Sequence, residues 1–589
     1  MAIPATYITD HLDTWSSAIK VKSSAGRGGG KKQEFYGTKK LRELVLELAV
    51  RGLLIPQEPD DELATILIKQ LHSEKLRLIQ DKSIRKRPSL PDVSDEEKFT
   101  HLPSGWEFVR LDVLGDWGAG ATPSRRNPEL YGGTIPWFKS GELTGDYIYE
   151  SEEHVTEMAL QKASLRYNKV GDVLVAMYGA NIGNTSILGV PATTNQAVCA
   201  CTPFSGVDKR FLLTLIDATK NRFIAMGAGG AQPNISREKI IRTVVALPPK
   251  NEQHRIVAKA DELMALCDQL EQQQADSVRA HSTLVKTLLD ALTVESERGQ
   301  FAQAWQRIAS HFDTLFTTES SVDQLKQTVL QLAVMGKLVE QNLGDVPASE
   351  LLKGIAAEKA QLINEGSIKK QKPISPVTNT EFAFHIPTSW EWCRLGNVCL
   401  SSDSGWSPRC EPQARANEVE WAVLKVSAVS WGEFRPNEHK KLPAGMNARP
   451  EYEVKSGDFL LSRANTEDLV AKGVIVDQTP PRLMMSDKLV RFLISEKAFK
   501  RYINLVNAST ASREYYKQNS SGTSSSMKNI TRETMTNLPI PLAPLEEQYR
   551  IVAKVNELTT LCDRLKTRLR TAQTTQLHLA DSLVEAAIR

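Results

Sequence analysis

Two stretches of this chain gather side chains that hydrogen-bond to anions or to flat polar rings. In the first, Arg125, Arg126 and Lys139 lie close to Trp137 and are followed by Tyr178, Asn181, Asn184, Asn195 and Gln196. In the second, Arg409, Arg415 and Lys425 lie around Trp421 and are followed by Arg463, Asn465, Arg482 and Lys488. Arginine and lysine suit phosphate oxygens and the guanine edge, whereas asparagine and glutamine suit the adenine edge. The chemistry this set implies is recognition of a nucleic acid. Each stretch closes on a loop of small residues ahead of a helix, "GAGGAQPNISRE" (227–238) and "SSGTSSSMKNITRE" (520–533). Hydroxyls and free N–H groups there, with Ser524 and Ser525 among them, suit phosphate. Trp137 and Trp421 sit in apolar runs and are expected in the core.

Signatures of covalent chemistry are missing. "GAGGAQPN" lacks the lysine of a phosphate loop. No His/Cys cluster has zinc spacing, so no metal is expected. "PDVSDEEK" (91–98) imitates a nuclease carboxylate–lysine motif, but it is crowded into one polar linker and is given no role. "LPPK" and "APLE" are not an adenine-methyltransferase NPPY tetrapeptide.

These residues must be positioned by a frame, and the frame is written twice. "KNEQHRIVAKADELMALCDQL" (250–270) returns as "LEEQYRIVAKVNELTTLCDRL" (545–565), so that Glu252, Arg255 and Cys267 match Glu547, Arg550 and Cys562 at an offset of 295. Leu48, Ala49, Gly52, Trp106, Glu107 and Arg110 match Leu332, Ala333, Gly336, Trp390, Glu391 and Arg394 at an offset of 284. Gly171-Asp172 pairs with Gly457-Asp458, and Asn234-Ile235 with Asn529-Ile530. The order is kept throughout and the period far exceeds that of solenoid repeats, so two whole modules are fused. The frame is alike in the two halves while the interiors differ, which suits a protein that reads two unlike targets.

The expected division is a helical prelude and linker over 1–103, a mixed α/β domain over 104–250, and a long helix over 251–294. A second prelude follows over 295–387, a second mixed domain over 388–544, and a last long helix over 545–589. Half one carries an insertion over 21–38 containing "SSAGRGGGKKQ", whose Gly, Ser and Lys predict a flexible loop. "KSIRKRPSLPDVSDEEK" and "GSIKKQKPISPVTNTE" are polar, proline-containing linkers in equivalent places.

Both long helices carry heptads. In the first, Ile256, Leu263, Leu270 and Leu284 fall at a, and Leu288 falls at d. In the second, Ile551, Leu558, Leu565 and Leu579 fall at a, and Leu583 falls at d. Each helix has a polar middle around Gln274 and Ser277 or around Gln576. At ~1.5 Å per residue, some 40 residues make a rod of ~60 Å. The stripe predicts an antiparallel intramolecular coiled coil with pseudo-twofold symmetry, in which the buried polar residues set register. Cys267 and Cys562 are expected as small core residues.

Composition sets looser bounds. A chain of 589 residues is too long for one core. With 41% hydrophobic and 24% charged residues it reads as soluble and globular. No apolar run approaches the ~20 residues of a membrane span, and the first residues do not read as a signal peptide. Seven cysteines without a spaced framework point to the cytoplasm. A net charge of +3 selects no partner.

Taken together, "GATPSRRNPELYGGTIPW", "GDVLVAMYGANIG", "LPPKNEQHRIVAKADEL" and "LAPLEEQYRIVAKVNEL" resemble the specificity subunits of type I restriction–modification systems. The branch resembled is the one with an extended N-terminal helical region. The resemblance covers essentially the whole chain. It implies two target-recognition domains, each reading one half of an asymmetric, bipartite double-stranded DNA site. It implies that the paired helices set the spacing and dock two modification subunits and two restriction subunits. S-adenosylmethionine, ATP and magnesium would serve those partners, with no cofactor and no catalytic residue on this chain. Two other classes stay open at this point: a self-contained, diverged DNA methyltransferase, and a coiled-coil structural adaptor without a DNA role.

Overall fold

A computed structural model describes residues 5–23, 31–99, 101–227, 233–294, 298–429, 432–522 and 527–588. The first half opens with α1 (Ala5–Thr9) and α2 (Leu12–Ser17), the strands β1 (Ile19–Ser23) and β2 (Lys31–Phe35), and the helices α3 (Tyr36–Val50) and α4 (Ala64–Gln80). Leu41, Leu44, Val45, Leu48 and Ala49 recur at helical spacing on α3, and all are buried. The described parts of the 21–38 insertion, 21–23 and 31–38, are not the flexible loop that composition predicts. β1 and β2 pair antiparallel from Ile19 opposite Phe35 to Ser23 opposite Lys31, and residues 36–38 already belong to α3. The backbone ladder outweighs the low core-forming value of these side chains, because each strand satisfies the other's N–H and C=O groups. The intervening 24–30 lie outside the described residues.

The first mixed domain contains β3 (Glu107–Arg110), β4 (Gly115–Ala119), β5 (Tyr131–Phe138), β6 (Tyr147–Ile148), β7 (His154–Val155), α5 (Glu157–Lys162) and β8 (Val173–Ala176). It continues with β9 (Thr185–Leu188), β10 (Thr193–Thr194), β11 (Val198–Pro203), α6 (Lys209–Gly227), α7 (Arg237–Arg242) and β12 (Val244–Leu247), and α8 (Lys250–Val294) follows. Its main sheet has the order β4-β11-β8-β9-β6, a second has the order β10-β5-β7, and β3 pairs with β12. Strands β8 and β9 are buried at every position and read as continuous apolar or small runs, as strands covered on both faces do.

The second half repeats the plan with α9 (Arg298–Ser310), α10 (Phe312–Leu315), α11 (Glu319–Val334), α12 (Ala348–Asn364), β13 (Glu391–Arg394), α13 (Leu395–Val398), β14 (Cys399–Ser404) and β15 (Ala422–Leu424). Then come β16 (His439–Lys441), β17 (Phe459–Ser462), β18 (Ala464–Asn465), β19 (Gly473–Ile475), β20 (Leu483–Met484) and β21 (Leu489–Ile494). The half ends with α14 (Lys500–Ala508), α15 (Thr510–Gln518), β22 (Lys528–Asn529), α16 (Arg532–Thr536), β23 (Pro539–Leu542) and α17 (Leu545–Ile588). Here the main sheet is β14-β21-β17-β19, beside β16-β15-β20, β13-β23 and β18-β22.

The chain divides into two compact units. One ends at Ser277 and takes in the tail from Gln573; the other holds Val278–Ala572. Both cuts fall inside a long helix. In the first unit Ile256, Ala260, Leu263 and Cys267 of α8 share a core with Ala580 and Ala587 of α17 and with α3. In the second, Val285, Leu289 and Leu292 of α8 share a core with Cys562 of α17 and with Val322, Leu325 and Val329 of α11. In each unit the two long helices run antiparallel, with a prelude helix packed beside them. Tyr36 and Arg51 of the first prelude donate to Asp581 (2.7 Å) and to the Ile588 carbonyl of α17 (3.5 Å), while Arg42 pairs with Asp268 of α8 at 2.5 Å.

Two heptad assignments need correction. Leu284 is 51% and Leu579 48% exposed, and the buried stripe passes instead through Val285 and Ala580. The polar middle also acts differently from a helix-to-helix register pin. Gln274 is buried and donates to the Ser16 carbonyl, and Gln573 donates to the Ile19 carbonyl, so both hold the prelude backbone. Cys267 is a buried thiol pushed up to about 11 by burial, as a small core residue would be.

Candidate functional site

The repeated motif "NEQ"/"EEQ" fastens each long helix to its mixed domain. Glu252 is buried and accepts from Trp106 Nε1 and from Gln57 Nε2, both at 3.0 Å. Glu547 does the same with Trp390 Nε1 at 2.9 Å and Gln341 Nε2 at 2.5 Å. Burial pushes both carboxyls above their ordinary value, against the pull of these donors. Gln253 Oε1 accepts from the Asp208 N–H, and Gln548 Oε1 from the Phe499 N–H, each at 2.8 Å. One turn on, Arg255 pairs with Asp61 and Arg550 with Asp345. Gly52 and Gly336 end α3 and α11 at φ +68° and +69°, and a Cβ there would strike Pro103 and Trp106, or Pro387 and Trp390. These glycines therefore let the prelude approach the anchoring tryptophan.

A second fastening holds the linkers. Arg110 makes two bonds to Glu97 (2.8 and 3.0 Å) and donates to the carbonyls of Pro91 and Arg242. Arg394 repeats this with Glu381 (both 2.8 Å) and the carbonyls of Ser375 and Asn537. The arginine in each pair holds its carboxylate down to about 2. "PDVSDEEK", which the sequence left without a role, is thus half of a structural latch.

On this frame the interiors carry the candidate contact residues. After β8, Tyr178 bridges to Asn234, and the Ile235 N–H donates to the Met177 carbonyl at 2.9 Å. After β17, Ala464 pairs with Asn529, and the Ile530 N–H donates to the Arg463 carbonyl at 2.9 Å. Both halves therefore bring the segment after the central strand against the segment that follows the small-residue loop. This gathers Tyr178 and Asn181 in half one, and Arg463, Asn465, Lys488 and Lys528 in half two. Residues 228–232 and 523–526 of these loops, Ser524 and Ser525 among them, lie outside the described residues.

The candidates differ in how free they are. Among the described residues Arg126 and Arg409 are exposed and make no side-chain pair, and the half-buried Arg463 bonds only through its backbone. Lys488 is 53% exposed, 3.6 Å from Asp487. Arg125 and Lys139 share Glu153, at 2.6 and 2.8 Å, which holds that carboxylate down to about 2. Arg125 also lies 4.4 Å over the Tyr131 ring and 5.3 Å from Trp137. Lys139 and Lys425 take matching places, each preceding the short turn after β5 or β15, and Lys425 faces Glu438 at 3.6 Å. Asn184 accepts from Lys220 (2.7 Å), Asn195 from the Ala197 N–H (3.1 Å), and Gln196 from Thr122. Arg415 donates to the carbonyls of Glu420 and Pro481, and Arg482 to that of Val419, so both brace one loop. Trp137 is buried, with Nε1 on the Ala121 carbonyl at 3.1 Å; Trp421 is half-buried beside Met484.

Sequence reasoning missed the anchoring roles of Gln57, Gln341, Lys75 and Lys359. The two lysines stand 284 apart and donate to the carbonyls of Asp112 (3.3 Å) and Gly396 (3.2 Å), positions also 284 apart. The signal was available, because residues kept at matching positions in otherwise divergent halves serve the frame. Among the described residues no group of His, Cys, Asp and Glu could hold a metal, all seven cysteines are free, and no helix is long and apolar enough to cross a membrane.

Known proteins are similar to this chain in sequence. The type I restriction modification DNA specificity domain matches the chain twice, at 103–280 and 389–573. The type I restriction enzyme EcoEI specificity subunit of Escherichia coli is 40% identical over 594 residues, spanning 99% of each chain. The EcoAI specificity subunit of the same species is 37% identical over 600 residues, again spanning 99% of each. The crystal structure of the HsdS subunit from Thermoanaerobacter tengcongensis is 18% identical with a TM-score of 0.41, covering 83% of this chain and 98% of that one. The chain therefore belongs to the specificity subunits of type I restriction enzymes.

Proposed function

We propose that this chain supplies DNA sequence specificity to a type I restriction–modification complex and performs no covalent chemistry itself. Each recognition domain, 104–250 and 388–544, reads one half of an asymmetric bipartite site in double-stranded DNA. The long helices set the spacing of the half-sites and dock two modification and two restriction subunits. Those partners use S-adenosylmethionine, ATP and magnesium, and the complex works in the cytoplasm. The specificity subunits it resembles support this reading, and neither a self-contained methyltransferase nor a structural adaptor has comparable support.

One observation carries the two-target reading. An identical Trp–Glu–Gln fastening holds two interiors whose main sheets differ, β4-β11-β8-β9-β6 in one half and β14-β21-β17-β19 in the other. Contacts to phosphate position a protein on the duplex, and contacts to base edges specify the sequence. A frame held constant around two variable interiors separates these tasks.

The test is exchange of residues 104–250 for the matching domain of a relative, followed by single-molecule sequencing of methylated DNA from cells that express the complex. One half of the methylated motif is expected to change and the other to persist. A change in both halves, or in neither, refutes independent reading.

A further inference from the structure

The first half holds a cleft of about 730 Å³ between the 83–87 linker, β4, β11 and the start of α7. Arg85, Arg87, Arg166, Lys169 and Arg237 line it, against Glu74 and Asp116. The acidic groups are already engaged. Glu74 accepts from the N–H and hydroxyl of Ser205. Asp116 pairs with Arg166 at 2.9 Å, and Glu238, just outside, pairs with Arg237. Arg87 is half-buried and has no carboxylate partner; its Nη1 donates to the Trp117 carbonyl at 2.6 Å. Burial, then the charge of Arg237 and that of Arg166, lower its affinity for its own proton, and the carboxylates of Asp116 and Asp112 offset this only in part.

The second half serves as an internal control. Gln371 stands 284 residues after Arg87, in the same linker, and its Nε2 donates to the Leu400 carbonyl at 2.9 Å. A neutral amide thus does the docking that Arg87 does. Fastening the linker does not require the positive charge, and a partly buried cation among like charges is costly unless an anion answers it.

We propose that this cleft binds phosphate oxyanions, and that they belong to the duplex backbone beside the half-site read by the first domain. The inference rests on the reading that this domain binds DNA. Continuity favours the duplex as the source. The wall residues Gly118 and Ala119 lead directly to Thr122, which donates to Gln196, and Arg237 follows Asn234, which is bridged to Tyr178. The matching place in the second half carries Gln371, so the contact belongs to one half-site only.

The test uses the full-length chain and Arg87→Gln, which copies the residue of the second half, with Arg237→Gln as a second variant. Binding to a duplex that carries the motif mapped by methylation sequencing is measured across a salt series, and binding of inorganic tripolyphosphate by calorimetry. Arg87→Gln is expected to melt like the parent and to keep the motif. Its slope of log affinity against log salt should shrink by about 0.9, the value of one phosphate contact on duplex DNA. Parental slopes and parental tripolyphosphate binding in both variants overturn the proposal. Tripolyphosphate binding lost in Arg87→Gln with the duplex slope unchanged overturns the duplex as the source and leaves a free phosphate compound as the ligand. A parent chain that binds no duplex, yet binds tripolyphosphate through Arg87, counts against the DNA reading and in favour of the anion site.

Discussion

Replacing Glu252 with alanine tests whether the buried carboxylate fastens α8 to the first domain. Glu252 is 1% exposed and takes one hydrogen bond from Trp106 and one from Gln57. Alanine leaves the indole N–H without an acceptor in a site that water does not reach, whereas the Gln57 amide keeps its bonds to the Gly52 and Ile55 carbonyls. A buried donor left unsatisfied costs about 1–3 kcal/mol, so the orphaned indole predicts a loss of that size. Glu252→Gln should cost far less. Its carbonyl can still accept from Trp106, and Gln57 can turn its own carbonyl toward the new amide. The sign of the pH effect supports the same ordering. Burial raises the Glu252 carboxyl in the folded chain, so its ionised form is the less favoured one. Its contribution to stability therefore falls as pH rises from the ordinary value toward the raised one, and a neutral side chain escapes that loss. A chain with two units need not unfold in one step, so the assay is native-state hydrogen exchange read at residues 253–260. Protection there should drop in the alanine variant and hold in the glutamine variant. A loss below about 1 kcal/mol for Glu252→Ala, or equal losses for both variants, would refute the anchoring argument.

The linker latches should release in acid. Glu97 and Glu381 are held down to about 2 from the ordinary 4.5, so their contribution is complete above 4.5 and disappears as pH falls toward 2; protease cleavage within 91–97 and 375–381 should rise over that window, and unchanged cleavage would count against the latch. Leu284→Glu and Leu579→Glu should change stability by less than about 0.5 kcal/mol, as exposed sites do, whereas Val285→Ala should cost about 1–3 kcal/mol in thermal or urea unfolding. Arg463→Met copies Met177, the residue at the matching place, so the fold should persist while duplex binding falls by ~1–3 kcal/mol for a base contact, or loses about one from the salt slope for a phosphate contact. Binding equal to the parent in both respects would remove Arg463 from the interface.

How far the sequence could be read depended on whether a feature was local or cumulative. The duplication, the order of preludes, mixed domains and long helices, and the burial of Trp137 followed from matched residues and apolar runs. The heptad went wrong where errors add up. A strict seven-residue repeat drifts ~20° per heptad from a straight helix. Four heptads separate Ile256 from Leu284, and four separate Ile551 from Leu579. The accumulated ~80° is close to the ~100° between neighbouring residues, so Val285 and Ala580 take over the buried face. The hairpin β1–β2 was hidden for a different reason, since its strands are polar and their ladder is made by backbone groups that every residue carries. Arg415, Arg482 and Asn184 were chosen by type alone, and type cannot tell a side chain that braces its own loop from one that waits for a ligand.

The duplication supplies a criterion for that distinction. Where both halves keep a residue and its bond, as Arg110 and Arg394 or Trp106 and Trp390 do, the residue serves the frame. Where both halves keep the bond but change the side chain, the backbone has taken over the structural task. The Ile235 and Ile530 N–H groups bind the carbonyls of Met177 and Arg463 in the same way, although one side chain is buried and apolar and the other is half-buried and charged. Such positions are free to vary without loss of the fold. A protein that must acquire new targets while keeping its partners needs variation of that kind, because the energy of the frame then does not depend on the side chains that read.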